Sequence, residues 1–240
     1  MKINPLVCYW RPKDIPEVLN GISELPCDKL FCNYMRYPYN YTISRDFFLS
    51  NPEYTHYVAL PNDLVPTRQV YDILINHIKE KDYQVISGVC NWDTGKYKDY
   101  WNITSNLPVL SPYENRKYQK ISKNRYPNTV FQVPWAGFPF MFIRRDVVEK
   151  IPFATVPEPI RAGHPVWEQS GGWGGDLAFA HSCKYYNVPI FVDTGCNMLH
   201  LRFHGEMMIG KKKPSIDFIS YEDKSSHEPK EQVWSLCKEE

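Results

Sequence analysis

Along the first ninety residues, short uninterrupted apolar runs alternate with segments of helical period. The runs over 6–10 (Leu-Val-Cys-Tyr-Trp), 29–34 and 57–60 have the length and makeup of strands buried on both faces. Between the first two, Asp14 as N-cap and Pro16 in the first turn predict a helix over 14–25. A strand, a helix and a strand within about thirty residues make a βαβ unit with parallel strands. A Tyr- and Pro-rich loop over 36–41 follows, and Thr42 is placed to cap a helix carrying Ile43, Phe47, Phe48 and Leu49. Pro61 cannot donate to a ladder and should end the third strand, with Asn62 and Asp63 just past its carboxyl end. A helix over 67–79 would lead away from that rim, which in an open α/β sheet is the edge where ligands bind.

The second half repeats the alternation less cleanly. Residues 83–90 predict a strand in which Gly88 permits close backbone approach. Residues 91–128 are rich in Tyr, Lys and Asn without clear period, the mark of a functional excursion. Strands are predicted over 130–133 and, with Gly137 near its start, over the aromatic run 135–143; a short helix over 144–151 follows. A Pro-rich loop over 152–163 leads to Ser170-Gly-Gly-Trp-Gly-Gly-Asp176, which opens a helix over 177–186. A last strand over 188–192 gives way to Asp193-Thr-Gly-Cys-Asn-Met-Leu-His200. The pattern predicts one α/β domain over 1–209, a mixed and mainly parallel sheet flanked by helices, with 210–240 as a polar tail.

Composition narrows the function classes. Lys+Arg 28 against Asp+Glu 27 leaves no global positive field to hold a polyanion, so nucleic acid is not an expected partner. No apolar run approaches the roughly eighteen residues of a membrane span, and Met1-Lys-Ile-Asn-Pro5 has no secretion signal. Seven cysteines without a Cys-x-x-Cys pair read as core thiols in a reducing compartment, which makes a cytoplasmic location the expectation. The 15% aromatic content, with 17 Tyr and 7 Trp, suits stacking on sugars and bases as well as core packing.

Three polar clusters are thus expected at strand ends or a helix start: Asn62-Asp63, Gly174-Gly-Asp176 and His200. Each has a plain structural reading as well: a turn after a strand, a helix N-terminal carboxylate, and a hydrogen-bonded histidine. In this order, the segments Tyr57-Val-Ala-Leu-Pro-Asn-Asp-Leu-Val-Pro66, Trp135-Ala-Gly-Phe-Pro-Phe-Met-Phe-Ile-Arg-Arg-Asp-Val-Val148, Gly175-Asp176 and Ile190-Phe-Val-Asp-Thr-Gly-Cys-Asn-Met-Leu-His200 resemble the GT-A glycosyltransferases, most nearly the family-2 type. The resemblance covers about residues 5 to 204.

That resemblance implies a GT-A (Rossmann-like) fold and transfer of a sugar from a nucleotide-diphosphate sugar to a hydroxyl of a glycan or other acceptor, with inversion. It implies Asp176 as the catalytic base. It places Tyr9, Asn33, Arg45, Asn62, Asp63 and Gly137 around the donor, Trp173 as the acceptor platform, and a divalent cation (Mn or Mg) on Asp63 and His200. Two family acids are missing, replaced by Pro61 and Gly175, which leaves open a non-catalytic nucleotide- or sugar-binding protein of the same fold. A nucleotidyltransferase ranks lower, because Tyr9-Trp-Arg-Pro12 has no glycine to cradle phosphates.

Overall fold

The computed structural model describes residues 2–11, 15–33, 39–61, 63–91, 99–108, 118–153, 175–201 and 234–239. β1 (Pro5–Arg11), α1 (Pro16–Ser23) and β2 (Asp28–Asn33) form the expected unit, with Cys8 level with Leu30 in a parallel ladder. The residue before α1 is Ile15, which makes no side-chain cap; Asp14 lies outside the described residues. α2 (Tyr39–Ser50) already includes Tyr39 to Tyr41, read as loop, and Thr42 is a helical residue and not its cap. β3 (His56–Pro61) pairs in parallel with β1 and ends at Pro61, which lies opposite Trp10. β4 (Leu64–Val65) is two residues long, and α3 (Arg68–Lys81) is capped by Thr67, whose hydroxyl accepts from Val70 N–H. β5 (Val85–Cys90) follows, buried throughout.

The excursion after β5 builds a second, smaller sheet. β6 (Tyr100–Thr104) pairs antiparallel with β7 (Lys120–Ser122) and with β9 (Trp135–Ala136), while β8 (Val130–Val133) joins the main sheet. The aromatic run over 135–143 is therefore two strands and not one: β9, then β10 (Met141–Arg144) in the main sheet. Between them Phe138 and Phe140 take φ of 56° and 57°, the left-handed region that costs about 1–3 kcal/mol per non-glycine residue. Their burial offsets it, since Phe138 packs into the core on one side of the sheet and Phe140 into that on the other. Pro139 between them has no N–H to give a ladder.

α4 (Arg145–Lys150) and α5 (Gly175–Tyr185) precede β11 (Ile190–His200), which runs unbroken where a short strand and an exit were expected. The Asp193-Thr-Gly195 segment is a shift of register inside β11, held by Gly195 N–H donating to Asp193 at 2.8 Å. Residues 234–237, read as tail, form β12 (Trp234–Cys237) on the outer edge of β2, fastened by the ion pair of the enclosed Lys29 with Glu239.

The main sheet runs β12-β2-β1-β3-β10-β5-β11-β4 with β8 also on β11. β1, β2, β3, β5 and β11 share one direction, but three of the named pairings are parallel and five antiparallel. The sheet is thus mixed, and not mainly parallel, because β10, β4, β8 and β12 return against their neighbours. α1 and α3 cover one face, through Val18, Ile22, Leu74 and Ile78. α2, α4 and α5 cover the other, through Phe48, Val147, Val148 and Phe179. Two covered faces explain why β3 reads as a continuous apolar run: Tyr57 and Ala59 enter one core, Val58 and Leu60 the other. The result is a single mixed α/β domain. All seven cysteines are free and only Cys237 is exposed. Among the described residues no helix is long and apolar enough to cross a membrane.

At the opposite rim, His56 is fully enclosed, and its Nδ1 hydrogen-bonds the Thr55 hydroxyl at 2.9 Å. Burial, helped by the positive charge of Arg144, lowers its pKa from 6.5 to about 4. The unfolded chain therefore binds a proton between those values that the native protein refuses, so stability falls as pH falls through that window. We expect His56 to account for about 2 kcal/mol of lost stability at pH 5 relative to pH 8. Urea unfolding of the wild type and of His56→Gln at both pH values measures it; parallel losses in the two proteins would refute the assignment.

Candidate functional site

The carboxyl ends of β1, β3, β5 and β11 lie along one rim, and the loop after β3 folds back onto the end of β11. Leu64 pairs with His200 and Val65 with Leu199, and Leu201 N–H donates to the Asp63 carbonyl at 2.6 Å. This pins Asp63 against His200, whose Nε2 donates to Asp63 Oδ2 at 3.0 Å. The other ring nitrogen, Nδ1, donates to the backbone carbonyl of Asn91 at 3.0 Å, one residue past β5. A carboxylate and a carbonyl can only accept, so both nitrogens carry protons and the ring is an imidazolium. Burial presses it toward neutrality, but hydrogen bonds and charge from Asp63 and Cys90 outweigh that and hold its pKa up at about 10. The imidazole side chain is 9% exposed and the carboxylate 35%, so the pair opens to solvent on the Asp63 side.

Among the described residues no group of three or more His, Cys, Asp or Glu side chains is placed to hold a metal ion. Asp63 and His200 remain as a pair. Adjacent ligands of an octahedral ion with bonds of about 2.1 Å stand about 3 Å apart, which is the separation found. A ring nitrogen donating to a backbone carbonyl is also the usual support of a ligating histidine. The two side chains can therefore hold a divalent ion once Nε2 gives up its proton.

Asp176 lies in the first turn of α5, where its Oδ1 accepts from Leu177 N–H at 2.8 Å. Gly175 lets the helix start press on Tyr41: a Cβ there would fall 2.6 Å from the ring. Tyr41 in turn packs on Trp10, with centroids 4.2 Å apart, and Trp10 lies opposite Pro61. The start of α5 is thus linked through Tyr41 and Trp10 to the end of β3.

The remaining candidates fare differently. Tyr9 is fully buried against Phe31, on the face covered by α1 and α3, and cannot stack on a base. Arg45 donates from Nε to Val148 O at 2.9 Å and from Nη2 to Glu149 O at 3.1 Å, closing the carbonyl end of α4 instead of reaching a donor. At Gly137 a Cβ would meet the Asn102 amide at 2.1 Å, so this glycine serves the junction of β6 and β9 and leaves no room for a ligand. Asn33 ends β2 opposite Arg11, and its side chain lies outside the described set, as do Asn62 and Trp173.

Sequence reasoning missed Trp10, Tyr41 and Asn91. The strand-end rule that marks Asn62 and Asp63 applies equally to Asn91, directly after β5, whereas Trp101 in β6 had no signal because its segment shows no period.

No family model matches the chain, and no curated protein does. Among solved structures it is similar to A197 from STIV, at 15% identity over 80% of this chain and 83% of that one, with a TM-score of 0.53. At that identity the likeness speaks for the fold alone.

The geometry sets a protonation state that can be measured. The His200 ring should remain doubly protonated at pH 8 in the metal-free protein, and Asp63→Asn should bring its titration down toward neutrality. Nitrogen-15 chemical shifts of the imidazole across pH 6 to 10 read this directly; a neutral ring at pH 8 would contradict it. The stability this pair contributes is complete below pH 6.5 and is lost as pH rises through about 10.

Proposed function

We propose that the protein is a glycosyltransferase of the GT-A type, moving a sugar from a nucleotide-diphosphate sugar to a hydroxyl acceptor. The observation that carries this reading is the Asp63–His200 pair, joined at 3.0 Å on the carboxyl rim where α/β sheets bind ligands. The sequence motifs resembling the GT-A glycosyltransferases accord with it.

In this reading Asp63 and His200 hold a divalent cation, Mn or Mg, which when bound supplies positive charge to the departing diphosphate. Asp176 takes the proton of the attacking acceptor hydroxyl, giving single displacement with inversion. The Leu177 N–H on Oδ1 fixes the carboxylate's orientation, and the amino end of α5 favours negative charge there. Trp10 and Tyr41 pack between the start of α5 and the end of β3. The donor-side roles given to Tyr9, Arg45 and Gly137 are not part of this mechanism; Asn33, Asn62 and Trp173 keep theirs as proposals.

A second reading is favoured by one feature, the closed ion pair in which His200 already satisfies Asp63 without any cation. It makes the protein a non-catalytic nucleotide- or sugar-binding member of the same fold.

Thermal melts with uridine, guanosine, cytidine and thymidine diphosphates, each with Mg or Mn, discriminate the readings. A saturating ligand stabilises by about 2.7 kcal/mol at a hundredfold excess over Kd, a shift of several degrees for a chain of this size. One diphosphate should produce it, only with the cation, and Asp63→Ala should abolish it. Sugar transfer should vanish in Asp176→Asn while the melting shift persists. Binding without turnover of any nucleotide sugar supports the second reading, and no shift with any nucleotide overturns the glycosyltransferase reading and the nucleotide-binding form of the second.

A further inference from the structure

Beside the Asp63–His200 pair, two buried polar groups of opposite sense have no hydrogen-bond partner among the described residues. Asn91, whose backbone carbonyl orients His200, is paired with Trp101 of β6 through an isolated antiparallel bridge. Directly paired residues project from the same face with Cβ atoms about 5 Å apart. Trp101 is 7% exposed, and among the described residues neither its indole Nε1 nor the side-chain carbonyl oxygen of Asn91 has a hydrogen-bond partner. A buried donor and a buried acceptor left unmade each cost about 1–3 kcal/mol. Two of them on directly paired residues, one of which also orients His200, mark a place built for something else.

The chemistry of the missing group is constrained. Asn91 Oδ1 needs a donor and Trp101 Nε1–H needs an acceptor, and an alcohol is both at one atom. A carbonyl or carboxylate oxygen cannot donate, and an ammonium cannot accept. The indole ring is also held in place: Lys123 lies over it at 5.4 Å, leaving its N–H edge to do the recognition.

We propose that Asn91 and Trp101 form a hydroxyl-reading subsite, in which one sugar hydroxyl donates to Asn91 Oδ1 and accepts from Trp101 Nε1–H. This rests on the glycosyltransferase or sugar-binding reading above and adds the residues that distinguish one sugar from its epimer or deoxy analogue. The hydroxyl can belong to the donor sugar or to the acceptor; the recognition chemistry is the same.

The test observes the indole N–H directly. In a ¹H–¹⁵N spectrum the Trp101 side-chain signal, identified by its loss in Trp101→Phe, should move on addition of the cognate nucleotide sugar and stay put with the bare nucleoside diphosphate if the donor carries the hydroxyl. If the acceptor carries it, free monosaccharides and glycosides move the signal instead. The monodeoxy analogue lacking the recognised hydroxyl should bind the wild type roughly tenfold or more weakly, and Trp101→Phe should erase that difference. Because Trp101 Nε1 makes no hydrogen bond among the described residues, Trp101→Phe should melt within a few degrees of the wild type, and Asn91→Ala gives an independent loss of the same discrimination. An unmoved Trp101 signal in the presence of a sugar ligand that binds, or equal affinity for every deoxy analogue, overturns the subsite while leaving the glycosyltransferase reading intact. A trapped water bridging the two groups gives that same result. Absence of binding by any nucleotide, nucleotide sugar or free sugar overturns the subsite together with the reading it rests on.

Discussion

One imidazolium holds three strand ends together. His200 closes β11, the Asn91 carbonyl lies just past β5, and Asp63 follows β3; the ring donates to both of the latter at 3.0 Å. β4 has only two residues, so the fold-back that carries Asp63 cannot hold by ladder pairing alone. A charged, largely enclosed pair is worth keeping only when its hydrogen bonds are complete, and removing either partner strands a charge at a cost of about 3–5 kcal/mol. Here they are complete on the histidine side, and the carboxylate keeps contact with water. The pair therefore sets the position of the loop after β3 and at the same time leaves one oxygen of Asp63 available to an arriving group.

What lies beneath the rim makes that placement rigid. Trp10 donates to Tyr57 OH at 3.3 Å, and Tyr57 is tied to Ser44 at 2.7 Å, so β1, β3 and α2 share one buried polar chain. Tyr41, Phe138, Phe153 and Phe179 pack around it and carry the start of α5. At the far rim Arg145 donates to the carbonyls of Phe48, Asn51 and Tyr54 and lies over the Phe48 ring at 4.5 Å, closing the end of α2. Both ends of α2 are thus fixed, and the helix passes that constraint to the residues that flank Asp176. The strained turn at Phe138 and Phe140 belongs to the same economy, since its two rings lock β10 between the two cores.

The parts of this arrangement legible in the sequence are those governed by local chemistry. β1, β2, β3 and β5 are apolar runs closed by turn formers, and α3 has Thr67 as its cap, so their limits are written in neighbouring residues. The rim position of Asp63 follows from Pro61 for the same reason. The failures share a different cause, partners distant in the chain. An alternating strand shows that Tyr9 and Trp10 face opposite ways, but not that helices cover both faces, and so a buried tyrosine drew a binding role. Arg45 looks like a surface cation until α4 supplies its two carbonyls from a hundred residues away. β6, β7 and β9 pair across gaps that no period can report, and β12 depends on an edge of β2 and on Lys29.

Pro61, standing where the GT-A resemblance would have an acid, has an electrostatic consequence within the proposed mechanism. With His200 protonated, the Asp63–His200 pair is neutral, and an incoming diphosphate meets no repulsion from a second carboxylate. If a divalent cation displaces the Nε2 proton, one carboxylate, one neutral ring and the ion leave a single net positive charge, where two carboxylates would leave none. Such a site binds the bare ion weakly, having few anionic ligands, but attracts a diphosphate more strongly once the ion is in place. Cation and nucleotide should then bind as a unit, each completing the other's shell. Under that proposed arrangement the absent carboxylate shifts part of the ion's coordination from the protein to the substrate.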